Sequence, residues 1–143
     1  MPRSYPARPI VGVGAVVFRG AEVLMIRRGK PPRMGDWSLP GGMQELGETV
    51  FDAALREVHE ETAVTIQNIA LIDVIDSITR DDADRIQFHY TLVDVVADWQ
   101  AGEPVGGTDA MHAEFMPFHK VAALDLWSET HRIIAKAREM RRL

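Results

Sequence analysis

The feature that most constrains this chain is the run from Glu48 to Thr62, fifteen residues with neither proline nor glycine. Val50, Ala54 and Val58 recur at i, i+4 and i+8, with Phe51 and Leu55 beside them, so the run reads as a helix with an apolar stripe that must find a core. Glu57, Glu60 and Glu61 are spaced i, i+3 and i+4, which at about 3.6 residues per turn places three carboxylates on one face. Like charges so placed repel by a few tenths of a kcal/mol per pair on an exposed helix. A hard divalent cation with oxygen ligands, magnesium or manganese, offsets that repulsion. A solvated acidic face is the plainer alternative. Against it stand Arg56 next to the cluster, Glu48 two turns upstream, and Leu39-Pro40-Gly41-Gly42, which brings bare backbone to the start of the region.

The rest of the chain alternates strands with turns. Ile10 to Phe18 and Glu22 to Ile26 read as a strand pair around Arg19-Gly20-Ala21. Lys30 to Asp36 reads as a loop before the short Trp37-Ser38-Leu39, and Pro40, Gly41 and Gly42 break regularity again. Ile66 to Ile78 and Arg85 to Val96 form an antiparallel hairpin whose tip holds Asp81, Asp82 and Asp84; lacking calcium-loop spacing, these read as solvated turn residues. Ala101 to Thr108 is a glycine-rich loop, Glu114 to Pro117 a short strand, and Trp127 to Met140 an amphipathic helix ending in basic residues that suit its negative end.

With 143 residues, 46% of them hydrophobic, the chain closes one core. The expected organisation is a flexible segment over residues 1–9 followed by one domain over 10–143. A net charge of -5 argues against a nucleic-acid partner and for a small substrate or a metal. No stretch reaches the ~20 apolar residues of a membrane span, and the start carries no signal-like apolar run, so a cytoplasmic protein without a membrane partner is expected. Cysteine is missing, which removes disulfides, thiolate metal sites and a cysteine nucleophile.

The segment Gly42 to Val64 resembles the Nudix box: glycine, five residues, glutamate, seven residues, then Arg-Glu-aliphatic-x-Glu-Glu-x-Gly-aliphatic. Gly42, Glu48, Arg56, Glu57, Val58, Glu60, Glu61 and Val64 match, while Ala63 stands where the pattern has glycine. Trp37 to Gly42 is similar to the entry into the box of many members, and Gly107-Thr108-Asp109-Ala110 to a Gly-Asp-Asp-Ala stretch of ADP-ribose-pyrophosphatase-like members. Where those relatives continue Glu-Ala-Arg-Trp, this chain has His112, Ala113, Glu114 and Phe115, which puts a downstream metal or base glutamate in doubt.

The resemblance implies an α/β (α+β) fold, an α/β/α sandwich with a mixed central sheet flanked by helices. It implies metal-dependent attack of water on a nucleoside diphosphate linked to a further group, ADP-ribose or a similar sugar nucleotide, with magnesium as cofactor and manganese as an alternative. Glu57 and Glu61 are then the principal metal ligands, Glu60 and the Gly42 carbonyl additional ones, Arg56 the residue that orients the carboxylates, Glu48 its support, and Glu57 the base. A homodimer is compatible with the resemblance, dimers being common among similar proteins. Two rivals are a nucleotide-sensing module without catalysis and a hydrolase of nucleoside triphosphates, oxidised ones included.

Arg27, Arg28, Lys30 and Arg33 lie before the box and can meet phosphates. If Val23 to Arg28 is a strand, Arg27 and Arg28 face opposite ways and only one reaches the site. Trp37 either stacks on a base or sits in the core, and Asp109 either meets a ribose hydroxyl or caps a turn. The five histidines show no ligand spacing, and none is assigned chemistry.

Overall fold

β-branched residues and a parallel crossover build the centre of the molecule. In the computed structural model, which describes residues 2–30, 33–107 and 109–143, Ile10–Arg19 forms β1 and pairs in parallel with β6, Ile86–Ala101, from Ile10↔Tyr90 to Phe18↔Asp98. The sheet runs β3-β2-β1-β6-β5, where β5 is Thr65–Arg80, β2 is Glu22–Arg28 and β3 is Trp37–Ser38. β4, Gly41–Met43, pairs with β1, and β7, Ala110–Pro117, pairs with β2.

β1 and β2 are partners only beside their turn, at Phe18↔Val23 and Arg19↔Glu22. Beyond it β1 turns to β4 and β2 to β3 and β7. This divergence opens the sheet where the candidate site lies.

Alternation along the strands divides the apolar residues between two faces. Val13, Ala15, Val17, Val95 and Ala97 pack under α1, Val50–Thr62, against Ala53, Ala54 and Val58. Val16, Phe18, Val23, Met25 and Val96 pack on the opposite face against Ile133, Ile134 and Ala137 of α3, Ser128–Arg141. Between β7 and α3 lies a short α2, Phe118–Ala122. The result is the layered sandwich with a mixed sheet that the resemblance implies. Among the described residues no helix is long and apolar enough to cross a membrane.

Several boundaries differ from the sequence reading, each for a physical reason. α1 begins at Val50 rather than Glu48 because the Thr49 hydroxyl accepts a hydrogen bond from the Asp52 amide and caps the helix. Its core stripe is centred on Ala54, Val58 and Glu61, so Phe51 and Leu55 fall at the rim and are exposed. Gly41 and Gly42, expected to break regularity, are strand residues: a Cβ on Gly41 would stand 2.1 Å from the Val13 carbonyl oxygen, so only glycine allows β4 to pair there. The short α2 was not foreseen, being too brief for periodicity to register. Of the expected Lys30 to Asp36 loop, Pro31 and Pro32 lie outside the described residues, as does Thr108 of the Gly107 to Ala110 stretch.

Candidate active site

At the divergence of β1 and β2 is a hollow of about 430 Å³, lined by Ile26, Arg28 and Lys30, by Gly41 to Glu45, and by Glu57 and Glu61 of α1. Glu61 is 4% exposed because it continues the apolar stripe of the helix. Its carboxylate lies within 3.4 Å of the Gly41 amide, which donates to Oε2. Burial, then the adjacent Glu57 charge, pushes the Glu61 carboxyl up to about 8. Glu57 is also raised, chiefly by burial and against the pull of Arg56.

Gly42 explains how Glu57 fits. A Cβ built on Gly42 would stand 2.3 Å from the Glu57 carboxyl carbon, so the missing side chain is the space the carboxylate occupies.

Arg56 ties the cluster together with every donor it has. Nε and Nη2 form a fork on Glu48 at 2.7 and 2.8 Å, Nη2 also reaches the Met43 carbonyl at 3.0 Å, and Nη1 donates to Glu57 Oε1 at 2.8 Å and Glu60 Oε2 at 3.2 Å. These bonds to anions raise the guanidinium further above its ordinary range. The same fork holds the Glu48 carboxyl down at about 2. Glu48 is fixed in turn: its Oε1 accepts from the Glu45 amide and its carbonyl from Gln44 Nε2.

The structure therefore brings Gly42, Glu48, Arg56, Glu57 and Glu61 together, with Glu60 turned to Arg56 at the outer edge. Arg28 lines the hollow, while Arg27 faces away, stacked 5.4 Å from Trp37 and bonded to the Gly35 carbonyl, as strand alternation requires. Asp109 lines it too, paired with Lys30 at 2.7 Å. Trp37 does not; it packs on the α3 face of the sheet with His112 edge-on at 5.9 Å. Nor does Arg33, an exposed loop residue with φ 62°. His112 pairs with Glu114 outside the hollow.

Sequence reasoning missed Arg3, Ser38, Met43, Gln44 and Glu45 in the lining. Gln44 and Glu45 sit inside the box at unspecified positions, and Arg3 lies in a stretch with no periodicity, so neither carried a signal.

The comparisons with known proteins place the chain in a family. The family model described as NUDIX domain matches residues 8–137. An ADP-ribose pyrophosphatase of Methanocaldococcus jannaschii is 34% identical over 116 residues, 81% of this chain and 66% of that protein. An 8-oxo-dGDP phosphatase of Danio rerio is 43% identical over 61 residues, 42% of this chain and 19% of that protein. The chain thus spans less than two thirds of either relative's length. The crystal structure of a MutT NUDIX hydrolase from Burkholderia pseudomallei superposes with a TM-score of 0.76 at 27% identity, covering 90% of this chain and 98% of that one. The box residues, their convergence on one hollow and the match along nearly the whole length lead to one conclusion: the chain belongs to the NUDIX domain family.

Proposed function

We propose that this chain, through one domain over residues 10–143, hydrolyses the phosphoanhydride bond of a nucleoside diphosphate linked to a further group, with magnesium as cofactor and ADP-ribose as the first substrate to test. The observation that carries the reading is that Glu57 and Glu61 share one hollow with the glycine backbone and with Arg28 and Lys30.

Two adjacent carboxyl groups, one raised to about 8 by burial and by its neighbour's charge, form an oxygen donor set whose ionised form a hard divalent cation would favour. Among the described residues no three acidic or histidine side chains form a cage, so water and substrate phosphates would complete the shell, as magnesium commonly requires. When bound, the ion neutralises charge on the phosphate oxygens and leaving group.

Glu57 and Glu61 would hold the ion, and Glu60 would add charge from the outer edge. Arg56 restrains Glu57 through Oε1, and Glu48 restrains Arg56, so the carboxylate meets its ligand with little freedom to lose. We assign Glu57 as the base toward the attacking water, its burial making it a better proton acceptor. Arg28 and Lys30 supply positive charge for the diphosphate, and Asp109, paired with Lys30, sets where that charge stands.

ADP-ribose is favoured by the relative of that activity matched over 81% of this chain. The 8-oxo-dGDP phosphatase relative supports an oxidised nucleotide as the second reading. Purified protein incubated with magnesium and ADP-ribose, other sugar nucleotides, dinucleoside polyphosphates, 8-oxo-dGDP and nucleoside triphosphates separates the two. ADP-ribose should show the highest kcat/KM, and a higher value for an oxidised nucleotide would reverse the ranking. Failure to hydrolyse any of them with magnesium or manganese would overturn the enzyme reading.

A further inference from the structure

Residues 2–9 form neither helix nor strand, yet they are fastened at one point. Tyr5 donates its hydroxyl to Asp81 Oδ2 at 2.7 Å and its amide to the Gln87 carbonyl at 2.7 Å, and Arg85 stacks 5.1 Å from its ring. Asp81 is itself built in: its Oδ1 accepts from the Ala83 and Arg85 amides at 2.9 Å, and its Oδ2 takes the Arg85 side chain. The β5–β6 tip thereby serves as an anchor. Prolines at 2, 6 and 9 limit the freedom of the chain on either side of Tyr5.

Two residues before the anchor, Arg3 joins the lining of the hollow, with Gln44, Glu45 and Glu57 among its other walls. The lining cations differ in their engagement. Lys30 is committed to Asp109, and Arg28 also has a partner. Arg3 makes no hydrogen bond or ion pair with the described residues, although four acidic residues, Glu45, Glu57, Glu61 and Asp109, share the lining with it.

We propose that Arg3 is a substrate-binding residue that takes the anionic diphosphate of a nucleoside diphosphate compound, and that Tyr5 is a positioning residue acting through it by pinning segment 2–9 to the Asp81 turn. The proposal rests on the functional reading above for the class of ligand. It extends that reading to a wall of the site outside the family's motif. A guanidinium fork matches phosphate oxygens, and one whose backbone is already pinned near the hollow through Tyr5 loses less freedom on binding than one on a loose chain.

The test is a double-mutant cycle on the binding of α,β-methylene-ADP, a diphosphate that resists hydrolysis, measured by calorimetry with magnesium. Arg3→Gln should weaken binding about tenfold, the scale of one charge-assisted hydrogen bond, with Arg3→Lys between it and the wild type. Tyr5→Phe should weaken binding by roughly threefold, being the smaller, indirect effect. The double variant should bind no more weakly than Arg3→Gln alone, because Tyr5 acts only through Arg3. Unchanged binding by Arg3→Gln, or losses from the two substitutions that multiply in the double variant, would overturn the proposal. ADP-ribose turnover by the same samples separates the two readings. Normal wild-type turnover with unchanged Arg3→Gln binding defeats the Arg3 proposal alone; tenfold weaker Arg3→Gln binding in a protein without turnover supports the Arg3 proposal and defeats hydrolysis.

Discussion

Arg56 directs four of its five donors to acids and the fifth to the Met43 carbonyl, whereas Glu57 and Glu61 are held mainly at the cost of burying them. The two roles predict different mutant behaviour. Glu57→Gln and Glu61→Gln should each lower turnover at saturating magnesium by about 100-fold or more, since an amide keeps the shape and loses the charge. Glu61→Gln should melt no lower than the wild type, because it removes a carboxyl that burial and the Glu57 charge disfavour, whereas Glu57→Gln also weakens the contact with Arg56 and should melt lower. Near-normal turnover in both would remove them from the metal-binding role. Gly42→Ala should be nearly as damaging, by a different route: the added methyl would displace the Glu57 carboxyl group, whose carbon lies 2.3 Å from that position. Spacing put Glu57, Glu60 and Glu61 on one face, but it did not show that Glu60 turns to Arg56 while the other two line the hollow. The reason for Gly42 was not legible either, because spacing records that a glycine recurs but not which neighbour needs the room.

α1 leaves its last turn through Ala63 at φ 64° and ψ 6°, a left-handed residue whose amide closes on the His59 carbonyl at 2.9 Å. The family pattern has glycine here, and alanine retains the Cβ strain that glycine avoids. Ala63→Gly should therefore stabilise the protein by about 0.5–1 kcal/mol, raising the melting temperature by roughly 2–4 °C with activity unchanged. A lower melting temperature would mean that the surrounding turn already relieves the strain. Elements with long periodic patterns, α1, β5, β6 and α3, were readable from the chain because their burial repeats with their backbone period. β4 and α2 were not, since three and five residues hold too little pattern. The exposure of Phe51 and Leu55 escaped for a related reason: a helix shows the width of its apolar stripe, and only its packing partner shows where the centre falls.

At the scale of the whole molecule, Asp94 is a partly buried acid outside the site, lying on the α3 face against the bare α-carbon of Gly14. Burial, then Asp73 and Glu129 against the opposing pull of Arg132, pushes its carboxyl up to about 6. A raised acid binds its proton more tightly when folded. The stability it contributes is complete below its unfolded value near 3.8 and is lost as pH rises through about 6. Asp94→Asn should gain about 2 kcal/mol over the wild type at pH 8 and little at pH 4, which paired melts at the two values would measure. An equal gain at both would deny the titration. The parallel pairing of β1 with β6 has a consequence in time rather than in energy. Residue 10 meets residue 90, so the strand that supports the box cannot be seated until most of the chain exists, although every glutamate of the box has already been made. Closing so long a loop before its contacts repay the entropy makes sheet closure the slow event of folding. Val96→Ala, at the buried centre of that pairing, should accordingly slow refolding more than it hastens unfolding, and the two limbs of a denaturant chevron would measure the division.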